Sequence, residues 1–203
     1  MYKRQIFERY LRESEERQLL ATVRRVDCVL AKRDAAWMLL MRNTGVRVCV
    51  VAGLTVADAR DALCTQYLKI RAEINKGDSS HRLLVTKQIA TTLQELLRIR
   101  KRMGHAEHPD APLVMSRQLG KGLSIRSMQH RMRHWVKAAG LPVAASPHWW
   151  RHTLAKRAMA ASESSNPQAV VQHLLGHKHR ASTEIYTQPD RDDIEETLRA
   201  AQH

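Results

Sequence analysis

The sequence predicts an α+β domain, mostly α-helical with a small antiparallel β-sheet. Three observations carry that prediction. Apolar residues recur at helical spacing over most of the chain, capping residues mark the ends of those stretches, and one pair of short alternating runs flanks a Gly-containing turn. The 203 residues suffice for a single domain with a substantial core. Apolar residues at 43% are ordinary for a globular chain and too many for a disordered one.

Taken in order, Ser14 with Glu15 and Glu16 reads as an N-cap with first-turn acids, ahead of the apolar Leu19, Leu20 and Val23. A second helix is expected over about 30–42, stopped by Asn43-Thr44-Gly45, where glycine supplies the left-handed cap. A short apolar helix over 47–53 follows. Residues 67–74 then alternate, with Leu68, Ile70, Ala72 and Ile74 on one face, and 81–86 form a second β-like run. The polar stretch 75–80 between them completes a hairpin signature. Helical pattern resumes near Lys87, with Ile89, Leu93, Leu96, Leu97 and Arg100 on one stripe. Residues 105–112 read as an irregular loop and Leu113-Val114-Met115 as a brief extended segment. From Ser124 the pattern is helical to the end, punctuated by Gly140-Leu141-Pro142, Ser146-Pro147 and Asn166-Pro167. Pro147 and Pro167 each follow a capping-type residue, which is how helices begin. The last stretch, 191–203, is amphipathic, with Ile194, Leu198 and Ala201 on one face. No linker, internal repeat or low-complexity tract divides 1–203, so one domain is expected.

Lys and Arg number 34 against 20 Asp and Glu, a net charge of +14 and an isoelectric point near 10.3. Such an excess calls for a polyanionic partner, nucleic acid first and an acidic membrane surface second, the bland alternative being a solvated basic surface. The three cysteines, Cys28, Cys49 and Cys64, are odd in number and form no Cys-x-x-Cys pair. Two of them have apolar sequence neighbours, which fits buried free thiols in a reducing cytoplasm. The longest nearly apolar run, 48–57, is too short to span a bilayer, and the charged N-terminal segment is no signal-peptide core. A soluble cytoplasmic protein without a membrane partner is expected.

Chemistry concentrates in the last quarter. His148-Trp149-Trp150-Arg151-His152-Thr153 is followed by Leu174-Leu175-Gly176-His177 and then by Tyr186. Arginine binds a phosphate through a planar fork of donors, histidine moves protons near neutral pH, and a tyrosine hydroxyl can act as a covalent nucleophile. Each residue alone has a plainer reading. A single helical arginine snorkels to solvent, Lys76 is a solvated turn lysine, Trp149 and Trp150 are core anchors, and Tyr186 is an amphipathic core tyrosine. A metal reading pairs His148 with His152 and His173 with His177, four apart on a helix face. No acid occupies the second position of either pair, and no cysteine lies near to complete a tetrahedral site. No metal or cofactor is therefore expected, and His152 and His173 read as structural.

Six positions taken together carry more. Arg47 follows Thr44-Gly45-Val46; Lys76-Gly77 sits in the hairpin; His148-x-x-Arg151 and Leu175-Gly176-His177 come next; Tyr186 stands nine residues beyond His177. This order and spacing resemble the C-terminal catalytic domain of the tyrosine recombinases, also called phage-type integrases, over roughly 14–190. The resemblance implies that family's catalytic-domain fold and a site-specific DNA recombinase, independent of metal and ATP, that cuts and rejoins strands through a 3′-phosphotyrosyl link. Arg47 and Arg151 would clamp the phosphate, and their charge would lower the Tyr186 pKa toward phenolate-like attack. His148 would accept or orient the phenol proton, His177 would bond the phosphate, and Lys76 would protonate the departing 5′ oxygen. Double-stranded DNA and a homo-tetramer on paired DNA sites are the implied partners, with 191–203 docking in a neighbouring protomer. A bacterial or phage protein at the nucleoid is implied.

Two departures stand out. The family often has an acid three positions after the first arginine, where this chain has Val50, and Trp150 stands where an aliphatic is common. Most members also carry a helical core-binding domain before the catalytic one, and this chain begins almost where the catalytic domain should. That fits either an expressed fragment or a naturally short member, like the recombinases that invert fimbrial promoter segments. A type IB topoisomerase-like nicking and closing enzyme, or a catalytically inactive DNA-binding protein on a decayed recombinase, are the rival readings.

Overall fold

Residues 35–41 form an unbroken apolar run, and a helix built on such a run has no polar face to give to water. In the computed structural model that helix, α2 (Val29–Thr44), is the centre of the domain, with Trp37, Met38, Leu40 and Met41 fully buried. The structure describes residues 5, 8–75, 80–177, 179–189 and 191–202, apart from the side chains of 191–193 and 196. Around α2 pack α1 (Glu13–Arg25), α5 (Lys87–Arg102) and α7 (His148–Ala161), and α6 (Ile125–Ala138) lies against α1. The short helices α3 (Val48–Gly53) and α4 (Val56–Thr65) lead into a two-stranded antiparallel sheet. Its strands are β1 (Tyr67–Ile70) and β2 (His81–Leu84). Then α8 (Pro167–Leu175), α9 (Ala181–Glu184) and α10 (Arg191–Ala201) complete the order. The fold is the expected α+β arrangement, mostly helical with one small sheet.

Several expectations need correction. Helix α1 begins at Glu13, before Ser14, because the Glu15 carboxylate reaches back to the Arg12 backbone N–H at 2.9 Å. The first strand stops at Ile70, and Ala72–Ile74 turn into a single 3₁₀ turn. There Arg71 reaches the Asp58 carboxylate (3.1 and 3.0 Å) and the Gly53 carbonyl (3.1 Å). Pro147 occupies the N-cap position of α7 and no side chain caps that helix, whereas Asn166 does cap α8, with Pro167 in its first turn. Helix α4 was not anticipated, although Thr55 and Asp58 form a capping box at its start. None of the cysteines is buried; Cys28 and Cys64 are exposed, Cys49 half-buried, and all three are free.

Hairpin, helix ends and C-terminal segment place the chemistry. The two strands pair Tyr67 with Leu84 and Ile70 with His81, so Ile70 and His81 are the strand ends that face the connecting segment. Residues 76–79 themselves lie outside the described residues. Helix α10 exposes Ile194 and Leu198, at 57% and 58%, so its apolar stripe is not packed on its own domain. No helix among the described residues is long and apolar enough to cross a membrane.

Candidate active site

Two helices end in left-handed glycines, Gly45 after α2 and Gly176 after α8, both at φ 64°. At such an end the last carbonyls lack helical partners and carry the negative end of the helix dipole. Arg151, in the first turn of α7, takes up two of these carbonyls. Its Nη1 donates to Gly45 O and its Nη2 to Leu175 O, each at 2.7 Å. A side chain at either glycine would be strained at this φ, and a Cβ on Gly45 would also press on Leu154 at 2.8 Å and Leu175 at 2.9 Å. Arg151 is itself buried and also bonds the Tyr186 hydroxyl. Burial and then the Arg47 charge draw its pKa down to about 10, which still leaves it a cation at neutral pH.

Tyr186 lies in the turn that follows α9, its N–H bonded to Thr183 O at 3.0 Å. The phenol is 4% exposed and packs with Ala155, Val171 and Leu175. Two imidazoles flank it. The His152 ring meets it edge-on, with centroids 5.2 Å apart, and the His177 ring lies nearly parallel to it at 6.2 Å. His148 in turn stands edge-to-face on His152 at 4.6 Å. The ring next to the phenol is thus His152, and its Nδ1 is buried without a hydrogen-bond partner among the described residues. His177 Nδ1 pairs with the buried Thr183 hydroxyl at 2.7 Å. If that hydroxyl is the donor, the His177 proton sits on Nε2, free for a ligand.

Electrostatics set the protonation states. Desolvation, then the charge of Arg151, then that of Arg47, pull His177 down to about 4. The buried His152 falls to about 3, by desolvation and then by His148 and Arg151. His148 falls to about 4 by desolvation and the same two guanidinium groups, although its side chain is exposed at the start of α7. The guanidinium charges still reach His148 across that open edge and hold its pKa below the usual imidazole value. All three imidazoles are neutral at pH 7. For Tyr186 the expectation was a lowered pKa, and it is raised. Burial outweighs the opposing charges of Arg151 and Arg47 and the Arg151 hydrogen bond, so the phenol keeps its proton.

Of the six candidate positions, Arg151, His177 and Tyr186 lie together, with His148 one ring further out. Arg47, half-buried at the start of α3, is near enough for its charge to act on His148, Arg151, His177 and Tyr186. Lys76 lies outside the described residues. Val50 is buried in the core; Asn75 Oδ1 instead steadies Arg47, accepting from its Nη1 at 3.0 Å. Trp150 is wholly buried, the packing role expected of it, and its indole N–H has no partner among the described residues. His173, read as structural, is exposed on α8. Sequence reasoning missed Asn75, Thr183, the position of His152 and the presence of His81 beside this cluster, for none of which spacing gives a signal.

Comparison with known proteins places the chain in a family. The pattern of the phage integrase family matches residues 9–192. The tyrosine recombinase XerC of Shewanella amazonensis is 37% identical over 161 residues, 79% of this chain and 50% of that protein. The chain thus spans half the length of that relative. Among solved structures, XerH site-specific recombinase bound to a palindromic difH substrate, in a post-cleavage complex, superposes with a TM-score of 0.71. It shares 19% identity and covers 96% of this chain and 53% of that one. A lambda integrase tetramer bound to a Holliday junction gives a TM-score of 0.61 at 19% identity, covering 96% and 51%. These two likenesses concern the fold. With the family pattern over nearly the whole chain and a close relative in sequence, the chain belongs to the phage integrase family, the tyrosine recombinases.

Proposed function

We propose that the chain cleaves and rejoins duplex DNA as a site-specific recombinase, through a 3′-phosphotyrosyl intermediate on Tyr186. The observation that carries the proposal is the convergence of Arg151, His152 and His177 on one buried phenol. Arg47 and Arg151 hold the non-bridging oxygens of the phosphate, which gain charge as phosphorus becomes five-coordinate. Two of the Arg151 nitrogens are already committed to carbonyls, so its charge is fixed in place before DNA arrives. The raised Tyr186 pKa means that attack needs a proton acceptor, and His148, neutral at pH 7, accepts or orients that proton once DNA draws the phenol past His152, which here stands between the two rings. His152, packed between the two rings, fixes where the phenol lies. His177 donates from Nε2 to the phosphate. The Tyr186 oxygen bonds to phosphorus, the bond to the 5′ oxygen breaks, and Lys76 gives that oxygen its proton. The phosphotyrosyl link keeps the energy of the broken diester, so a new 5′ hydroxyl reverses the step without ATP.

Duplex DNA as partner is supported by the net charge of +14 and by the DNA-bound relatives in fold. We infer a bacterial or phage protein at the nucleoid, a reading supported by the bacterial relative in sequence and the DNA partner proposed. We place the chain as a catalytic domain that assembles as a homo-tetramer on paired sites, with α10 docked on a neighbouring copy. The exposed Ile194 and Leu198 support that docking.

The test of the reading is capture. The full chain is mixed with a pool of duplexes of randomised sequence, each nicked once so that cleavage releases a short strand. Covalent protein–DNA adduct is expected, with peptide mapping placing the DNA on Tyr186 and sequencing giving the site. Relaxation of supercoiled DNA with a single site and no pairing would favour the nicking-closing reading, and no adduct would favour a DNA-binding protein. Removing 191–203 should change stability by no more than about 0.5 kcal/mol, since the stripe is exposed. Burying two aliphatic side chains at about 1.5 kcal/mol or more each predicts at least a roughly hundredfold loss of assembly on paired-site DNA. Mass photometry reads that loss, and unchanged assembly would contradict the docking role.

A further inference from the structure

We propose that His81 is a further phosphate-binding residue of this site, its imidazole Nε2 donating a hydrogen bond to a non-bridging oxygen of the phosphate that Arg47 and Arg151 hold. The proposal rests on the reading of the site as one for a phosphodiester.

His81 opens β2 opposite Ile70. Strand side chains alternate, so His81 shares a face with Leu83, and that face is the buried one, carrying Leu68, Ile70 and Leu83. An imidazole thus stands, half-buried, where alternation calls for an apolar side chain. Its ring edge lies on the turn that holds the site together. A Cβ on Gly176 would be 3.0 Å from His81 Cε1 and Nδ1 and 3.2 Å from Nε2. That glycine separates Leu175, whose carbonyl Arg151 grips, from His177. Arg47 and Arg151 are both near enough for their charge to bear on the ring.

The nitrogens of His81 are not equivalent. Nδ1 is buried and has no hydrogen-bond partner among the described residues. A buried lone pair is cheaper to leave unpaired than a buried N–H, which puts the proton on Nε2 and makes Nε2 the nitrogen available to a ligand. Desolvation, then Arg151 and Arg47, lower the pKa of His81, so it joins the site neutral. A neutral donor adds a hydrogen bond for an anion without adding a third cation to repel the two arginines. For packing alone, a leucine or phenylalanine would serve this inward position with no polar atom left unpaired.

The test uses orthovanadate, a tetrahedral oxyanion, titrated into the full chain by calorimetry. His81→Phe keeps a ring against Gly176 and removes the donor; His81→Gln keeps a donor. Vanadate affinity should fall about tenfold or more in His81→Phe, the scale of one hydrogen bond to a charged group, and recover most of the way in His81→Gln. In the unmutated chain the imidazole ¹⁵N signals of His81 should shift on adding vanadate, a reading that needs no variant to fold. Equal affinity in His81→Phe, no ¹⁵N shift, or no vanadate binding at all would overturn the proposal. On a captured duplex, His81→Phe should slow single-turnover cleavage about 10- to 100-fold with a smaller change in duplex affinity. His81-dependent vanadate binding without any Tyr186 adduct would sink the recombinase reading and leave this one standing.

Discussion

Tyr186→Phe is expected to fold as the native chain does and to form no covalent adduct with DNA. The phenol ring makes the packing contacts with Ala155, Val171 and Leu175 and meets the His152 and His177 rings, and a phenyl ring keeps all of these. What goes is one hydroxyl and its bond to Arg151, worth about 1 kcal/mol of stability. For a chain of this size that is a fall of roughly 2–4 °C in melting temperature. Arg151 stays anchored by the Gly45 and Leu175 carbonyls, so the phosphate site survives. Yet among the described residues no other tyrosine stands at the site to replace the lost nucleophile. Tyr67 lies exposed on β1, paired with Leu84, and Tyr10 stacks under Lys156. Adduct capture on nicked DNA, run beside thermal melting, decides the matter. Adduct surviving in a folded Tyr186→Phe chain would move the nucleophile elsewhere and end the proposed mechanism.

How much of this was legible beforehand varies with the kind of signal. Gly45 announced a left-handed cap because backbone geometry leaves few alternatives to glycine there, and the structure has it at φ 64°. The hairpin was legible from its turn, but alternation ran past the true end of β1, because the departure at Arg71 is set by Asp58 and Gly53, which are distant in sequence. Helix α4 escaped notice because its buried face is made of Val56, Ala59 and Ala62, small side chains that give a faint periodic signal. The cysteines misled in the opposite way: apolar neighbours along the chain are not neighbours in space. Arg151, His177 and Tyr186, named from their order, do lie together, while Lys76 lies outside the described residues. Their electrostatics could not be read that way, since counting nearby arginines predicts a lowered Tyr186 pKa, and only the fold reveals the burial that raises it. His81 was hidden for the same reason, since nothing in a strand's alternation says that its inward residue meets Gly176.

The largest loss of stability is expected from Asp34→Ala. Asp34 is fully buried on α2, and its two oxygens accept five N–H bonds. Arg33 gives two, at 3.1 and 2.8 Å, and Trp37 one at 3.3 Å. Arg131 and Trp135, both on α6, give one each at 2.6 and 2.8 Å. Alanine would strand the buried Arg33 guanidinium, whose one remaining bond is to Met115 O, and leave two indole N–H groups unpaired in the core. Breaking a buried pair in this way costs about 3–5 kcal/mol, against a total stability of roughly 5–15 kcal/mol. Urea unfolding should show that loss, and melting should fall by roughly 10 °C. Asp34→Asn, which keeps one acceptor oxygen, enough for one of the two indoles, and loses the charge, should fall between. Because Asp34 touches none of the site residues, adduct formation measured well below the new melting point should stay near native. A loss of less than about 1 kcal/mol in Asp34→Ala would mean that the carboxylate is not what joins α2 to α6. A collapse of cleavage in a chain still folded would mean something else. The helix that presents Gly45 and Arg47 would then depend on α6 for its aim, and the phosphate clamp would be only as rigid as that buried carboxylate makes it.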